Sequence, residues 1–398
     1  MSDSTVISNV RLAQKPGLYQ ISIEKRRVKH IVAMEEASSI SETSAAVASA
    51  AVIDLQGDWL SLGAVDLQIN GALGLAFPDL RLDHLDQLQA ICELLWRQGV
   101  DGFCPTLVTT SLENFHGSLE AIATFQKRQA QNPHQGSAKV LGAHLEGPFL
   151  NEVKRGAHPA EFLQPLTLEN AKTVLGDLAS AVSIMTLAPE LDVESGVIPW
   201  LTQNGITASL GHSLATFEQA SRAFAQGATM VTHAFNAMPG LHHREPGMLG
   251  AALTDARVFC GFIADGQHIC PAMLDLLLRT GRGSQDAVMG GLFLVSDALS
   301  PLGLPDGIYP WDSRQIEVVN GTARLADGTL SGTTLPLIEG ALNLVEWGLC
   351  GAGDAIALVT SAPRNAIGLT DSMLGNSAQL LRWHQADTGV LTWQRLQY

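Results

Sequence analysis

Apolar and polar positions alternate with a period of two along Val6-Ile7-Ser8-Asn9-Val10, Leu18-Tyr19-Gln20-Ile21-Ser22-Ile23 and Val28-Lys29-His30-Ile31-Val32. That period predicts strands with one buried face, and Ala51-Val52-Ile53-Asp54-Leu55 adds another. Between them, residues 36–50 read EASSISETSAAVASA. Side chains this small cannot build a core, so the stretch is expected to be a loop or a partly mobile insertion. From residue 62 the texture changes to short, almost continuous apolar runs, each closed by a polar residue or glycine and followed by apolar spacing of three and four. The runs fall at 63–68, 102–106, 140–146, 183–188, 207–212, 230–233, 259–265 and 292–297. Continuous apolar strands alternating with helices predict parallel strands covered on both faces. Eight of them predict an α/β fold, a (β/α)8 TIM-like barrel over residues 62–361. The 37 residues after 361 are too few for a core of their own. Residues 362–398 are therefore expected to return to residues 1–61 and complete a small β-sandwich domain.

In such a barrel the reacting side chains stand where strands end. The strand ends here carry Gln68, Asn70, Glu146, His212, His233 and Asp297. Two imidazoles and a carboxylate are the ligand set of a catalytic divalent ion. A further carboxylate can move the protons that hydrolysis requires. His144, two residues before Glu146, reads as a packed, hydrogen-bonded residue on the same strand face.

Charge and cysteine content narrow the class of protein. With 24 basic and 39 acidic residues the formal net charge is −15, and the longest basic run is Lys25-Arg26-Arg27. Binding to nucleic acid is excluded on that count, since the phosphate backbone needs clustered cations. No apolar stretch reaches the roughly 18 residues of a membrane span, and the N-terminus has no basic-then-apolar leader pattern. Cys92, Cys104, Cys260, Cys270 and Cys350 are scattered and odd in number, which predicts reduced thiols and a cytoplasmic protein.

Ten segments then carry a specific resemblance: DLQINGALG at 66, HLEGPFLN at 144, RGAHP at 155, TLAPE at 186, GHSLAT at 211, THAFNAMPG at 232, REPGMLGAA at 244, IADGQH at 263, SDA at 296 and SGTTLPLIEG at 331. The sequence resembles the N-acetylglucosamine-6-phosphate deacetylases of the amidohydrolase superfamily. The resemblance implies metal-dependent hydrolysis of the acetamide of an amino-sugar phosphate. It makes Glu146, His212 and His233 the metal ligands and Asp297 the catalytic acid and base, with His158 polarising the amide. Gln68, Ala157, His158, Asn236, Ala237, Arg244, His268, Thr333, Thr334 and Leu335 become the substrate contacts. Gln68 and Asn70 stand where other superfamily members have a His-x-His pair, which implies one divalent metal ion per subunit: Zn2+ first, with Fe2+, Co2+ or Mn2+ as alternatives. A homodimer with Arg244 reaching into the partner's site is also implied. Alternatives are an N-acetylgalactosamine-6-phosphate deacetylase, another amidohydrolase of the deaminase, dihydroorotase or aminoacylase type, or a barrel that has lost its chemistry and acts as a binding protein. His242 and His243 have no assigned role.

Overall fold

The structure, a computed structural model, describes residues 4–35, 51–132, 136–282 and 288–396. The alanine- and serine-rich stretch 36–50 lies outside them. Eight parallel strands form one ring: Ala64–Ile69, Val100–Val108, Ala143–Glu146, Val182–Leu187, Thr207–Leu210, Met230–Val231, Phe259–Phe262 and Leu292–Leu294. Each pairs in parallel with the next. The ring closes where Ile69 bridges Ala298 and the Asn70 N–H donates to Ala298 O at 2.7 Å.

Both faces of the strands are buried, which is why the runs are almost continuously apolar. Val65, Cys104, Ile184, Met230 and Phe293, from strands all around the ring, belong to one cluster. Residues on opposite sides of a ring can share contacts only through its centre, so this cluster fills the barrel. Outside it, helices such as Leu85–Arg97 and Leu112–Gln131 pack against the strands through Leu88, Ile91, Phe115, Ile122 and Phe125. Their starts are set locally. Ser111 Oγ accepts from the Asn114 N–H, and Thr216 with Gln219 forms a reciprocal capping box at the helix Phe217–Ala225.

The chain's two ends meet in one seven-stranded sheet. Leu381–Gln385 pairs with Leu391–Arg395 and with Trp59–Ser61, and the last of these lies beside Ser4–Leu12. Trp383 is fully buried there, its indole N–H donating to Ser61 Oγ at 2.9 Å. Arg395 and Arg364 fasten this end to the barrel through Asp101, at 3.0 and 3.5 Å.

One element was not foreseen. Residues 307–333 form a four-stranded antiparallel sheet inserted after the eighth barrel strand: Gly307–Trp311, Arg314–Val319, Thr322–Leu325 and Leu330–Thr333. The signal for it is present as Asn320-Gly321, which joins Val319 to Thr322 with φ of 49° and 77°. Two positive φ values make the tight hairpin turn that asparagine and glycine favour.

Candidate active site

Glu146 is the last residue of the third barrel strand; His212, His233 and Asp297 follow the fifth, sixth and eighth by two, two and three residues. All four are buried. His212, His233 and Asp297 have φ of 49°, 29° and 48°. Non-glycine residues adopt this conformation uncommonly, in tight turns and at functional sites. The backbone leaves the sheet abruptly at these positions and turns the side chains over the mouth of the barrel.

The three expected metal ligands converge. His212 Nε2 lies 3.1 Å from Glu146 Oε1, and His233 Nε2 lies 3.0 Å from both. Ligands about 2.0–2.1 Å from a tetrahedral ion stand at similar mutual distances, roughly 3.3 Å. The tautomer also fits, because His212 Nδ1 donates to Lys154 O at 2.8 Å and leaves Nε2 as the lone-pair nitrogen. Burial alone would raise the Glu146 carboxyl, but the proximity of His212 and His233 holds it well below the usual carboxylate range. This is a buried anion shaped to receive a cation.

The donor set supports a single tight ion. Gln68 Nε2 donates to Glu146 Oε1 at 3.0 Å and to Asp297 Oδ1 at 3.3 Å, and Asn70 Nδ2 donates to Asp297 at 2.7 Å. Both amides thus present N–H groups to the carboxylates, and their neutral oxygens lack the charge of an ordinary zinc ligand. His144 does not replace them: its Nδ1 donates to Leu67 O at 3.0 Å and its Nε2 meets Thr186 Oγ1 at 2.7 Å. Burial pushes this imidazole down to about 4, so it is neutral. Titration of metal-stripped protein with Zn2+ is expected to saturate near one tight ion per chain. Two equally tight ions would contradict this reading of Gln68, Asn70 and His144.

Asp297 and His158 flank the ligand cluster. Burial, with the Glu146 charge, raises the Asp297 carboxyl to about 6, while His233, His268 and Asn70 pull against that rise. A carboxyl in this range can take a proton near neutrality and return it. His158 Nδ1 accepts the Thr109 N–H at 3.2 Å, with Thr109 Oγ1 at 3.0 Å. A backbone N–H can only donate, so the His158 proton sits on Nε2, which lies 3.9 Å from Glu146 Oε2. Burial, reinforced by His212, pushes this ring down to about 3. His158 is therefore a neutral donor held in one tautomer. Gly147, with φ of 96°, makes room for its support, because a Cβ there would fall 2.1 Å from Thr109 Oγ1.

These groups share a cavity of about 340 Å3. Ala157, Asn236, Ala237 and His268 line it as expected. His268 Nδ1 is tied to Asp265 at 2.7 Å, which frees Nε2 for the cavity. After His233 the chain winds tightly, with φ of 73° at Phe235 and 51° at Ala237, and the Asn236 N–H donates back to His233 O at 2.9 Å.

Other expected contacts stand elsewhere. Gln68 lies under the carboxylates, while Asn70 lines the wall. Thr333 donates its hydroxyl to Ser296 O and the Thr334 N–H bonds Gly321 O; neither they nor Leu335 line the cavity, whereas Leu330 and Ser331 do. Arg244 is exposed on the loop beyond Asn236 and is not in the wall. Lys154 and Trp311, which sequence reasoning missed, are in it. Lys154 Nζ lies 3.4 Å from Met238 O, beside the turn at Ala237.

No family model matches the chain. It is 38% identical over 324 residues to N-acetylglucosamine-6-phosphate deacetylase of Bos taurus, covering 79% of this chain and 76% of the relative. It is 34% identical over 325 residues to N-acetylgalactosamine-6-phosphate deacetylase of Escherichia coli O157:H7, covering 82% of each. Among solved structures it is similar to a variant N-acetyl-D-glucosamine-6-phosphate deacetylase of Mycobacterium smegmatis in complex with N-acetyl-D-glucosamine-6-phosphate. That match has a TM-score of 0.80 and 26% identity, covering 98% of this chain and 97% of the other.

Proposed function

The chain belongs to the N-acetylglucosamine-6-phosphate deacetylase family of amidohydrolases, and on that premise we propose that it hydrolyses the acetamide of N-acetyl-D-glucosamine 6-phosphate to D-glucosamine 6-phosphate and acetate. The observation that carries this reading is the meeting of Glu146, His212, His233, Asp297 and His158 at one cavity, whose volume falls within the range of small-molecule sites.

Glu146, His212 and His233 would hold the divalent ion, Zn2+ by ligand type with Fe2+, Co2+ or Mn2+ as alternatives. When bound, such an ion acidifies water and polarises a carbonyl. The chain's own residues do the rest. Ionised Asp297, held by Asn70, accepts a proton from water as its oxygen bonds to the acetamide carbon. His158 Nε2–H donates to the carbonyl oxygen as it becomes an oxyanion. Protonated Asp297 then gives its proton to the amine nitrogen as the C–N bond breaks, and the carboxylate is restored for the next turnover.

The phosphate is assigned to the part of the wall formed by the turn at Asn236 and Ala237, His268 and the Lys154 ammonium. Arg244 is assigned to the neighbouring subunit's site in a homodimer. Its exposure and its absence from its own cavity wall support that role. Among the described residues no helix is long and apolar enough to cross a membrane. With three buried free thiols at Cys92, Cys104 and Cys260, a reducing, cytoplasmic setting is proposed. The galactosamine epimer is the second reading, favoured by the 34% identity to a deacetylase of that substrate.

The deciding measurement is kcat/KM on both N-acetylhexosamine 6-phosphates and on the unphosphorylated sugars, for the wild type and Arg244→Ala. The glucosamine epimer with its phosphate is expected to be preferred, and Arg244→Ala is expected to raise KM mainly for the phosphorylated sugar. A preference for the other epimer, or indifference to phosphate, would overturn the assignment. Mixing Arg244→Ala chains with Asp297→Asn chains tests the subunit crossing. If the arginine serves its neighbour, hybrid dimers hold one intact site and regain activity. If it serves its own chain, the mixture only averages its parents.

A further inference from the structure

Beneath the ligand cluster lies a chain of hydrogen bonds that the proposed reaction does not use. It runs from Leu67 O to His144 Nδ1 at 3.0 Å and from His144 Nε2 to Thr186 Oγ1 at 2.7 Å. It continues from Thr186 to Thr232 Oγ1 at 2.6 Å and from Thr232 to Ser209 Oγ at 2.6 Å. All four side chains are buried, none more than 4% exposed.

Three of the four precede the expected ligands by a few residues. His144 stands two before Glu146, Ser209 three before His212, and Thr232 immediately before His233. Thr186 belongs to the fourth strand, which carries no ligand. Bonds between neighbouring parallel strands fix local register, but they do not fix the distance across the ring. Two links of this chain are chords through the interior. His144 on the third strand reaches Leu67 on the first, and Thr186 on the fourth reaches Thr232 just past the sixth. His212 and His233 sit immediately above, where positive φ has already taken the backbone out of the ladder.

We propose that the chain Leu67–His144–Thr186–Thr232–Ser209 is a positioning device, spanning the barrel to hold the strands that carry Glu146, His212 and His233 at the spacing one divalent ion requires. The proposal rests on the reading of those three residues as metal ligands. Leu67 O can only accept, so His144 Nδ1 carries a proton. A neutral ring then accepts from Thr186, which accepts from Thr232, which accepts from Ser209. Every hydroxyl proton has one direction, and loss of any member strands a buried partner.

The central variant is Thr186→Val, which keeps the shape and removes the hydroxyl. Zn2+ affinity of the full-length protein is measured by competition with a coloured chelator, and the rate of metal loss by chelator challenge. Thr186→Val is expected to bind Zn2+ about 10-fold or more weakly, the scale of effects from groups that support ligands, with turnover at saturating Zn2+ little changed. Thr186→Ser is expected to return affinity to the wild-type value. Ile7→Val, in the terminal sheet, serves as a control that lowers Tm without touching the chain, and its Zn2+ affinity should not move. If Thr186→Val does not fold, Ser209→Ala removes only the terminal donor and is expected to weaken Zn2+ in the same direction, by less. Wild-type affinity in the folded Thr186→Val or Ser209→Ala variant, or failure of Thr186→Ser to restore it, would overturn the proposal. A wild-type protein that binds no Zn2+ would instead overturn the ligand reading on which it rests.

Discussion

Asp297→Asn is expected to fold, to keep its metal and substrate affinity, and to lose roughly two to four orders of magnitude in turnover, the range of positioned acid–base groups. The amide is nearly the carboxylate's shape, so Asn70 Nδ2 at 2.7 Å can still donate to its oxygen. What disappears is the ability to accept a proton in one step and deliver it in the next. The environment explains why a carboxylate suits this task here. Burial and the Glu146 charge raise it to about 6, and a cation held by Glu146 would draw it back toward the ionised form that accepts the proton of water. Metal content by elemental analysis, with kcat and KM measured separately, checks the claim. Turnover near that of the wild type would remove Asp297 from the proton transfers.

His158→Phe is expected to lower kcat by roughly two to three orders of magnitude with KM little changed, because it removes one donor to a developing oxyanion. Phenylalanine keeps an aromatic ring in the place where the imidazole packs edge-on against His212, 4.5 Å between centroids, while removing both the Nε2–H and the Nδ1 acceptor of the Thr109 N–H, so a Tm measurement accompanies the kinetics. A second consequence concerns pH. His158 is pushed down to about 3 in the fold, and a cation held by Glu146, His212 and His233 would push it further the same way. The ring therefore stays neutral throughout the range between about pH 5 and 9, and its removal should lower the rate uniformly there without shifting either limb of the pH profile. A loss confined to KM, or a displaced limb, would contradict the role of neutral donor.

The barrel was legible because burial on both strand faces leaves an unambiguous trace: eight apolar runs, four of them ended by a residue that lines the mouth. Glu146, His212, His233 and Asp297 could be picked out on that ground alone, and the structure brings them together. The inserted sheet was harder to see. Its strands, such as Arg314–Val319, expose alternate residues and are short, so within a long barrel they read as loop, and Asn320-Gly321 was the one local clue. The wall of the cavity depends on how that insert folds back. Leu330 and Ser331 line it while Thr333 is spent on Ser296 O, a difference of a few residues that no periodicity reveals. Lys154 escaped notice for a similar reason: its carbonyl orients His212, and its ammonium meets a loop 84 residues away in sequence.

The left-handed turns at His212, His233 and Asp297 set stability against activity at the same three positions. Glycine is the residue a backbone prefers there, and each non-glycine outlier costs of order 1–3 kcal/mol. Selection for a more robust fold alone would erode these positions first, replacing the reacting side chains with the residue that relaxes the chain. Their presence means the catalytic mouth is held at a cost met by the rest of the barrel. Stabilising this protein by design should therefore draw on the helices and the terminal sheet, and leave the three strained turns as they are.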